Sequence, residues 1–368
     1  MSKINSKKSL GKVVVAMSGG VDSSVAAALL KKQGYEVVGV FMQFWYPSGE
    51  TYGENRCCSL ESWHEAQEVA KLLDIEIHKV NFGREFKKTI VDEFLKDFDL
   101  LKTPNPCVAC NKFIKFDLLL KYAQTVLGAD YLATGHYVRL KPQVTSHKSK
   151  VKSGLELFRP KDLNKDQTYF LYNLKQPQLK NLLFPLADYK KEEIRKIAKK
   201  LKLKVHDKLD SQEICFVGKN HYDFLKRFLK LKKGKIVSDK GRVLGEHQGL
   251  PLYTLGQRSG IGLSGGPWYV VGFDKKKNQL IVSGDFSAAD LLSKRVNFKS
   301  ANWIAGSIKL PLKCSAQIRY RAKAENCVIK KIDSKYIAEF SKPQRAAMAG
   351  QSIVFYDGDK LLGGGIIA

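Results

Sequence analysis

Val13-Val14-Val15-Ala16-Met17-Ser18-Gly19-Gly20-Val21-Asp22-Ser23-Ser24 is the stretch that decides how this chain is read. An apolar, β-branched run leads into two glycines, then an aspartate, two serines and the apolar run Val25 to Leu30. The pattern predicts a buried strand, a tight turn and a helix N-terminus. Such a junction aims unpaired backbone N–H groups and the positive end of the helix dipole at one spot, which suits a phosphate. Gly19 and Gly20 remove Cβ atoms that would block close approach, Ser18, Ser23 and Ser24 offer hydroxyl donors, and Asp22 offers a carboxylate to Mg2+. Gly-Gly turns also join strands to helices without binding anything. A Walker loop is excluded, because its lysine-bearing pattern is missing.

Outward from that stretch, strand and helix patterns alternate. Glu36 to Met42 and Ile75 to Phe82 read as strands, Glu61 to Leu73 and Arg84 to Leu100 as helices. Thr103-Pro104-Asn105-Pro106 breaks the chain, Asn111 to Leu127 is helical, and Asp130 to Thr134 is a further strand. The alternation predicts an α/β, Rossmann-like domain with a parallel sheet, whose ligands gather at the carboxyl ends of the strands. Ser18, Met42 and Gly135 all fall just past strands and so share one crevice. Tyr137 to Leu140 and Leu155 to Arg159 read as a hairpin around a basic loop. Turn signals multiply after Gly218, and from Ser264 onward the pattern is strands and turns, which predicts a small central domain and then a C-terminal β-barrel.

The chain carries 63 Lys plus Arg against 36 Asp plus Glu, a net charge of +27. That surplus suits a polyanion, with nucleic acid first in line, although an excess of lysine can also follow genome composition. Basic residues cluster from Lys219 to Arg242, from Lys190 to Lys208, and at His147, Lys148, Lys150 and Lys152. No apolar run approaches the about 20 residues of a membrane span, and Met1 to Lys12 lacks the apolar core of a signal peptide, so the expectation is a cytoplasmic protein with no membrane partner. Seven cysteines without secretory features argue against a disulfide framework and leave reactive or metal-binding thiols open.

Two cysteines stand in segments of their own. In Pro104-Asn105-Pro106-Cys107-Val108-Ala109-Cys110-Asn111-Lys112, Cys110 falls near the start of a helix with Lys112 close by, a setting that makes a thiol a better nucleophile. In Ser211-Gln212-Glu213-Ile214-Cys215-Phe216-Val217-Gly218, Cys215 lies in a short apolar strand or turn, where a packed core cysteine is the ordinary reading. Cys57-Cys58 could join Cys107 and Cys110 around zinc or an iron–sulfur cluster, although adjacent cysteines fit such a site poorly. Cys314 and Cys327 look structural.

Ser18-Gly19-Gly20-Val21-Asp22-Ser23 resembles the PP-loop of ATP pyrophosphatases, which split ATP between its α and β phosphates. Together with the two cysteine segments, Ala133-Thr134-Gly135-His136-Tyr137, Asn164-Lys165-Asp166-Gln167, Gly245-Glu246-His247-Gln248-Gly249, Tyr253-Thr254-Leu255-Gly256-Gln257-Arg258 and Arg319-Tyr320-Arg321, it resembles the tRNA-specific 2-thiouridylases over nearly the whole chain. The resemblance implies a PP-loop ATP-binding catalytic domain at 1–217, a central tRNA-binding domain at 218–285 and a C-terminal β-barrel at 286–368.

It also implies site residues. Ala16, Met17, Ser18, Gly19, Gly20, Val21, Asp22, Ser23, Met42 and Gly135 would line the ATP site, with Mg2+ on the phosphates. Cys110 matches the nucleophile and Cys215 the cysteine that carries a persulfide, the two closing to a disulfide in one version of the cycle. Asn105, Pro106 and Cys107 match the segment on the target base, while His136, Lys165, Asp166, Gln167, Arg319, Tyr320 and Gln351 match tRNA contacts. The implied reaction is thiolation of the wobble uridine of lysine, glutamate and glutamine tRNAs by a monomer, with sulfur from a cysteine desulfurase or a carrier protein. Many family members have aspartate where this chain has Cys107, and a thiol with a reference pKa of about 8.5 cannot simply replace a carboxyl of about 3.9 as acid or base. Another PP-loop enzyme, such as an amidating synthetase, or a non-catalytic RNA-binding protein would account for fewer of these features.

Overall fold

Val13, Val14 and Val15 have no exposed surface, as a strand covered on both faces requires. In this computed structural model, which describes residues 9–47, 59–143, 154–210, 214–218, 220–333 and 335–368, they form the middle of β1 (Lys12–Ala16). After β1 come helix α1 (Val21–Gln33), β2 (Glu36–Gln43), α2 (Leu60–Leu72), β3 (Glu76–Asn81), two long helices, α3 (83–99) and α4 (106–125), and β4 (Tyr131–Ala133). Gly34, at φ 100°, ends α1 in the left-handed conformation that glycine adopts without strain. Ser59 caps α2 by accepting from the Ser62 amide.

The hairpin β5 (Arg139–Pro142) and β6 (Leu155–Phe158) follows, then the short β7 (Leu182–Leu183) and helix α5 (Lys191–Lys200). The parallel sheet runs β3-β2-β1-β4-β7. Its order reverses between β1 and β4, and the crevice of such a sheet lies at that switch point.

Helix α6 (His221–Phe228) leads into a four-stranded sheet of β8 (Gly234–Ser238), β9 (Val243–His247), β10 (Tyr269–Asp274) and β11 (Gln279–Ser283). The rest is β12 (Leu292–Trp303), β13 (Leu312–Gln317), β14 (Glu325–Ile332), β15 (Lys335–Arg345), β16 (Ser352–Asp357) and β17 (Lys360–Ile367). These six close into an antiparallel barrel, because β12 pairs with both β15 and β17. Phe298, Ile329, Phe340, Ile353 and Phe355 pack inside it.

The α/β domain with a C-terminal barrel is therefore as the sequence predicts. One local reading changes, and two placements are added. The helix expected from Asn111 begins at Pro106, with Asn105 as its cap. Arg319-Tyr320-Arg321 is the turn between β13 and β14, with Arg321 at φ 62°. The β5–β6 hairpin joins the barrel sheet by pairing Leu157 with Leu361 and Phe158 with Lys360.

Thr103 adds a second tie, since its amide donates to Ala349 O at 2.9 Å and its hydroxyl lies 3.2 Å from that of Thr254. The segment before α4 is thus held by the β9–β10 and β15–β16 connections together. Cys57, Cys58, Ser211 to Glu213, Lys219 and the loop holding His147, Lys148, Lys150 and Lys152 lie outside the described residues. Among those described, no helix is long and apolar enough to cross a membrane.

Candidate active site

A cavity of about 550 Å3 opens at the carboxyl ends of β1, β2 and β4. Ala16, Met17, Ser18, Gly20, Val21, Asp22 and Ser23 line it from the first strand–helix junction, Met42 from the second strand and Gly135 from the loop after β4. Gly20 caps α1 with no side-chain hydrogen bond, so the first-turn amides face the cavity without a built-in acceptor. Ser23 Oγ donates to Gly20 O at 3.1 Å and accepts from the Ser18 amide at 3.2 Å, which fixes the loop's curl.

Gly20 lines the cavity with nothing but Ser18 Oγ near its missing Cβ, whereas Gly19 and Gly135 make room for neighbouring protein. A Cβ on Gly19, at φ +69°, would lie 2.3 Å from Ser62 O, so the loop can pass α2 only as glycine. A Cβ on Gly135 would sit 2.9 Å from the Ser23 amide nitrogen and from Asp22 C. Both glycines let protein approach protein. Ser24, with no exposed surface, donates to Gly20 O at 2.9 Å and faces the core instead of the cavity.

Asp22 is already engaged. Lys191 Nζ lies 2.8 and 2.7 Å from its two oxygens, and the Tyr137 hydroxyl donates to Oδ1 at 2.7 Å. Burial, with the Asp22 charge beside it, pushes the Tyr137 phenol far above its ordinary range, so it stays a donor. Lys191 also reaches Asp210 Oδ1 at 2.7 Å, and Lys165 donates to Asp210 Oδ2 at 2.5 Å. Burial works against the Asp210 carboxylate, but hydrogen bonds from Lys165 and Lys191 outweigh it and hold the group below its usual range.

As a donor set for Mg2+, Asp22 and Asp210 fit: two hard carboxylates line a cavity beside a phosphate-type loop, and the remaining ligands would be phosphate oxygens and water. Lys191 bridges the two carboxylates, and Lys165 and Arg195 also pair with Asp210, so such an ion must share the carboxylates with these cations or displace them. Among the described residues, no group of three or more Cys, His, Asp or Glu is arranged for a metal held by protein alone.

Cys107, Cys110 and Cys215 all line the same cavity. Asn105 caps α4 by accepting from the Val108 amide at 3.2 Å, and Pro106 takes the first helical position, where its missing N–H costs nothing. The exposed Cys107 therefore occupies the first turn, and Cys110, 8% exposed, lies in the second. From Cys110 to Leu119 the helix is wound as a π-helix, a form that recurs at functional sites. Lys115, within this stretch, stands in the cavity wall, while the exposed Lys112 lies over the Phe113 ring at 4.8 Å and takes no part in the lining. Cys215 sits in a turn, anchored by Phe216, which is 1% exposed and edge-on to Phe86, Phe94 and Phe224.

The expected RNA-contacting residues divide. His136, Lys165, Gln167, Tyr320 and Pro106 line the cavity. Burial, with Lys115 nearby, holds the His136 imidazole well below its ordinary value, and its Nδ1 lies 2.7 Å from Thr134 Oγ1. Gln167 Oε1 accepts from the Tyr137 amide at 2.9 Å. Asn105, Asp166, Arg319 and Gln351 stand outside the lining. Asp166, 9% exposed, is taken up by Arg159 and by the Thr168 amide and hydroxyl, which is a structural clamp. Arg319 donates to Arg345 O, and Gln351 reaches Pro104 O at 3.5 Å.

Lys115, Lys191, Lys208 and Asp210 were not singled out by their sequence. Lys191 and Lys208 stand in a basic cluster that reads as an outward RNA-binding face, yet Lys191 is 8% exposed and Lys208 pairs with Glu65 at the cavity wall. In the 219–242 cluster, by contrast, Lys226, Lys230, Lys232, Lys233, Lys235, Lys240 and Arg242 are exposed.

Comparison with known proteins covers the same three regions. Residues 11–219 match the tRNA methyl transferase HUP domain, 222–284 the tRNA methyl transferase PRC-barrel domain and 293–367 the aminomethyltransferase beta-barrel domain. The chain is 48% identical over 366 residues to tRNA-specific 2-thiouridylase MnmA of Carboxydothermus hydrogenoformans, covering 97% of each. It is 47% identical over 364 residues to the protein of that name from Clostridium kluyveri, covering 97% of this chain and 99% of the relative. Among solved structures, NMN synthetase from Francisella tularensis is similar over 55% of this chain and 67% of its own, at 18% identity and a TM-score of 0.34.

Proposed function

The chain belongs to the tRNA-specific 2-thiouridylase family, and from that membership we propose that it catalyses ATP-dependent 2-thiolation of the wobble uridine in tRNAs of the lysine, glutamate and glutamine type. The observation that carries this reading is the sharing of one cavity by Ser18 and Ser23 of the PP-loop with Cys110 and Cys215. An amidating synthetase would use the loop and have no need of the two thiols.

ATP binds with its phosphates on the first-turn amides of α1 and on Ser18 and Ser23. Asp22 and Asp210 would hold Mg2+, which when bound neutralises phosphate charge. The uridine leaves its stack to enter the cavity, as chemistry on a base requires. Its O2 attacks the α phosphate, pyrophosphate leaves, and the C2–O bond becomes one that can break. The terminal sulfur of a Cys215 persulfide then bonds to C2, and AMP departs with the oxygen. Attack of the Cys110 thiolate on Cys215 Sγ breaks the S–S bond, leaves sulfur on the base and forms a Cys110–Cys215 disulfide. An external thiol reduces that disulfide, and a cysteine desulfurase or sulfur carrier reloads Cys215.

Residues 1–217 would supply the chemistry, with 218–285 and 286–368 holding the tRNA in a cytoplasmic monomer. The exposed basic face around Lys226 to Arg242 supports salt-dependent RNA binding.

The test is nucleoside mass spectrometry after incubation of the full chain with unmodified lysine tRNA, ATP, Mg2+, a desulfurase and cysteine. ATP-dependent 2-thiouridine at the wobble position is the expected result. Bound tRNA and loaded sulfur with no thiolated nucleoside would overturn the reading.

A further inference from the structure

Cys314 on β13 and Cys327 on β14 are directly opposed residues of two antiparallel strands. Their sulfurs lie 3.7 Å apart, and both are free thiols. Cys327, 5% exposed, belongs to the barrel core, and the less buried Cys314 packs against that core. Opposed residues of an antiparallel pair have Cα atoms about 4.5–5.5 Å apart, which falls inside the about 4.4–6.8 Å that a disulfide spans. Closure therefore asks for rotation of two side chains and no change of strand register. Neither cysteine lines the cavity that holds Cys110 and Cys215.

The position of the pair gives it a consequence. It stands two rungs behind Ala316 and Glu325, the last paired rung between β13 and β14. The turn beyond that rung brings Tyr320 and Arg321 to the cavity wall, with the Tyr320 ring 4.5 Å from that of Phe170.

We propose that Cys314 and Cys327 are a redox modification site, which a small disulfide oxidises to a cross-strand disulfide that locks the hairpin carrying Tyr320. One cysteine thiolate attacks a sulfur of the small disulfide and releases one small thiolate. The other cysteine gives up its proton and attacks the protein sulfur of that mixed disulfide, and the second small thiolate leaves. Two cysteine thiols are oxidised, the small disulfide is reduced to two thiols, and the two cysteine protons end on them. The contact with Cys327, burial and the Asp357 carboxylate push the Cys314 thiol up. The pair is thus a slow-closing site and not a further nucleophile for sulfur transfer. Its closure uses no step of the thiolation cycle, so the proposal stands apart from the uridine-thiolating reading.

The experiment is disulfide mapping of the folded full chain by mass spectrometry, after incubation with hydroxyethyl disulfide, alkylation and tryptic digestion without reductant. Peptides 314–319 and 324–330 are expected as one linked species, lighter than their sum by two hydrogen atoms. The double variant C110S/C215S should link the pair as readily as wild type, which separates this result from the fate of the thiolation assay. In the linked chain, amides of residues 318–324 should exchange roughly tenfold more slowly than in the reduced chain, and the melting temperature should rise by several degrees. C314S should show neither gain under the same oxidant. Full alkylation of Cys314 and Cys327 while the exposed Cys107 is consumed by the oxidant overturns the proposal. So does a mixed disulfide on Cys314 that goes no further. A linked pair with unchanged exchange at 318–324 overturns the lock. Should C314S not fold, the reduced wild-type chain is the reference, and the peptide map decides by itself.

Discussion

Lys191 Nζ lies within 2.8 Å of both carboxylate oxygens of Asp22, and its third close contact, at 2.7 Å, is Asp210. One nearly buried ammonium thus ties the phosphate-type loop to the segment that leads to Cys215. Replacing Lys191 with Met keeps the alkyl packing and removes the ammonium between the two carboxylates, leaving Asp210 with Lys165 and Arg195 and Asp22 with the Tyr137 hydroxyl. Breaking a buried pair costs about 3–5 kcal/mol, and because the two carboxylates keep 30% and 24% of their side-chain exposure, about 2 kcal/mol is expected here. Urea denaturation measures it. Millimolar Mg2+ should restore part of the loss in K191M and do little for the wild-type chain. A variant indifferent to Mg2+ would remove Asp22 and Asp210 as the ion's ligands.

The two cavity cysteines give the second prediction. C110S and C215S should each lose thiolation entirely while binding tRNA as wild type, with an unchanged slope of affinity against salt, because that slope counts phosphate contacts. Nucleoside mass spectrometry and binding at several salt concentrations read the two properties. A thiolating C215S would refute the persulfide assignment.

Much of this was legible in the sequence, and the limits have physical causes. Val13 to Val15 followed by paired glycines announces a buried strand and a phosphate-type turn, because those residues state their backbone needs locally. The strand–helix alternation then gives the parallel sheet. Lys191 and Lys208 were not legible, since their burial depends on Asp22, Asp210 and Glu65, all distant in sequence. Nor was Lys115, because which face of α4 lines the cavity is set by what the helix packs against, not by a local residue preference. Gly19 and Gly135 were read as glycines for good reason, but what each must clear, Ser62 O and the Asp22–Ser23 backbone, comes from tertiary packing.

That packing gives the third prediction. A methyl group at position 135 would press on the backbone of Asp22 and Ser23, 2.9 Å away. G135A should destabilise the chain by about 1–3 kcal/mol, as overpacking does, and raise the KM for ATP. Its affinity for tRNA should hold, because the barrel and the central sheet are untouched. If the KM for ATP stayed at the wild-type value, the loop would have to yield more readily than its hydrogen bonds allow. Calorimetric ATP binding and thermal unfolding test both parts.

The last prediction concerns pH. Burial, with Lys115 nearby, holds the His136 imidazole well below the ordinary histidine value of about 6.5. A group whose pKa is lower folded than unfolded takes up its proton in the unfolded chain first. The stability it contributes is therefore fully present above pH 6.5 and falls as the pH drops below that value, by up to about 1.4 kcal/mol for each unit until the folded imidazole also titrates. Denaturation midpoints between pH 7 and pH 5 should decline in the wild-type chain and decline less in H136Q, where no imidazole can charge. The glutamine can keep a polar contact with Thr134 Oγ1, so the comparison isolates the proton from the hydrogen bond. Parallel declines in the two proteins would show that His136 accepts its proton without cost, so that neither its burial nor the Lys115 charge governs its titration.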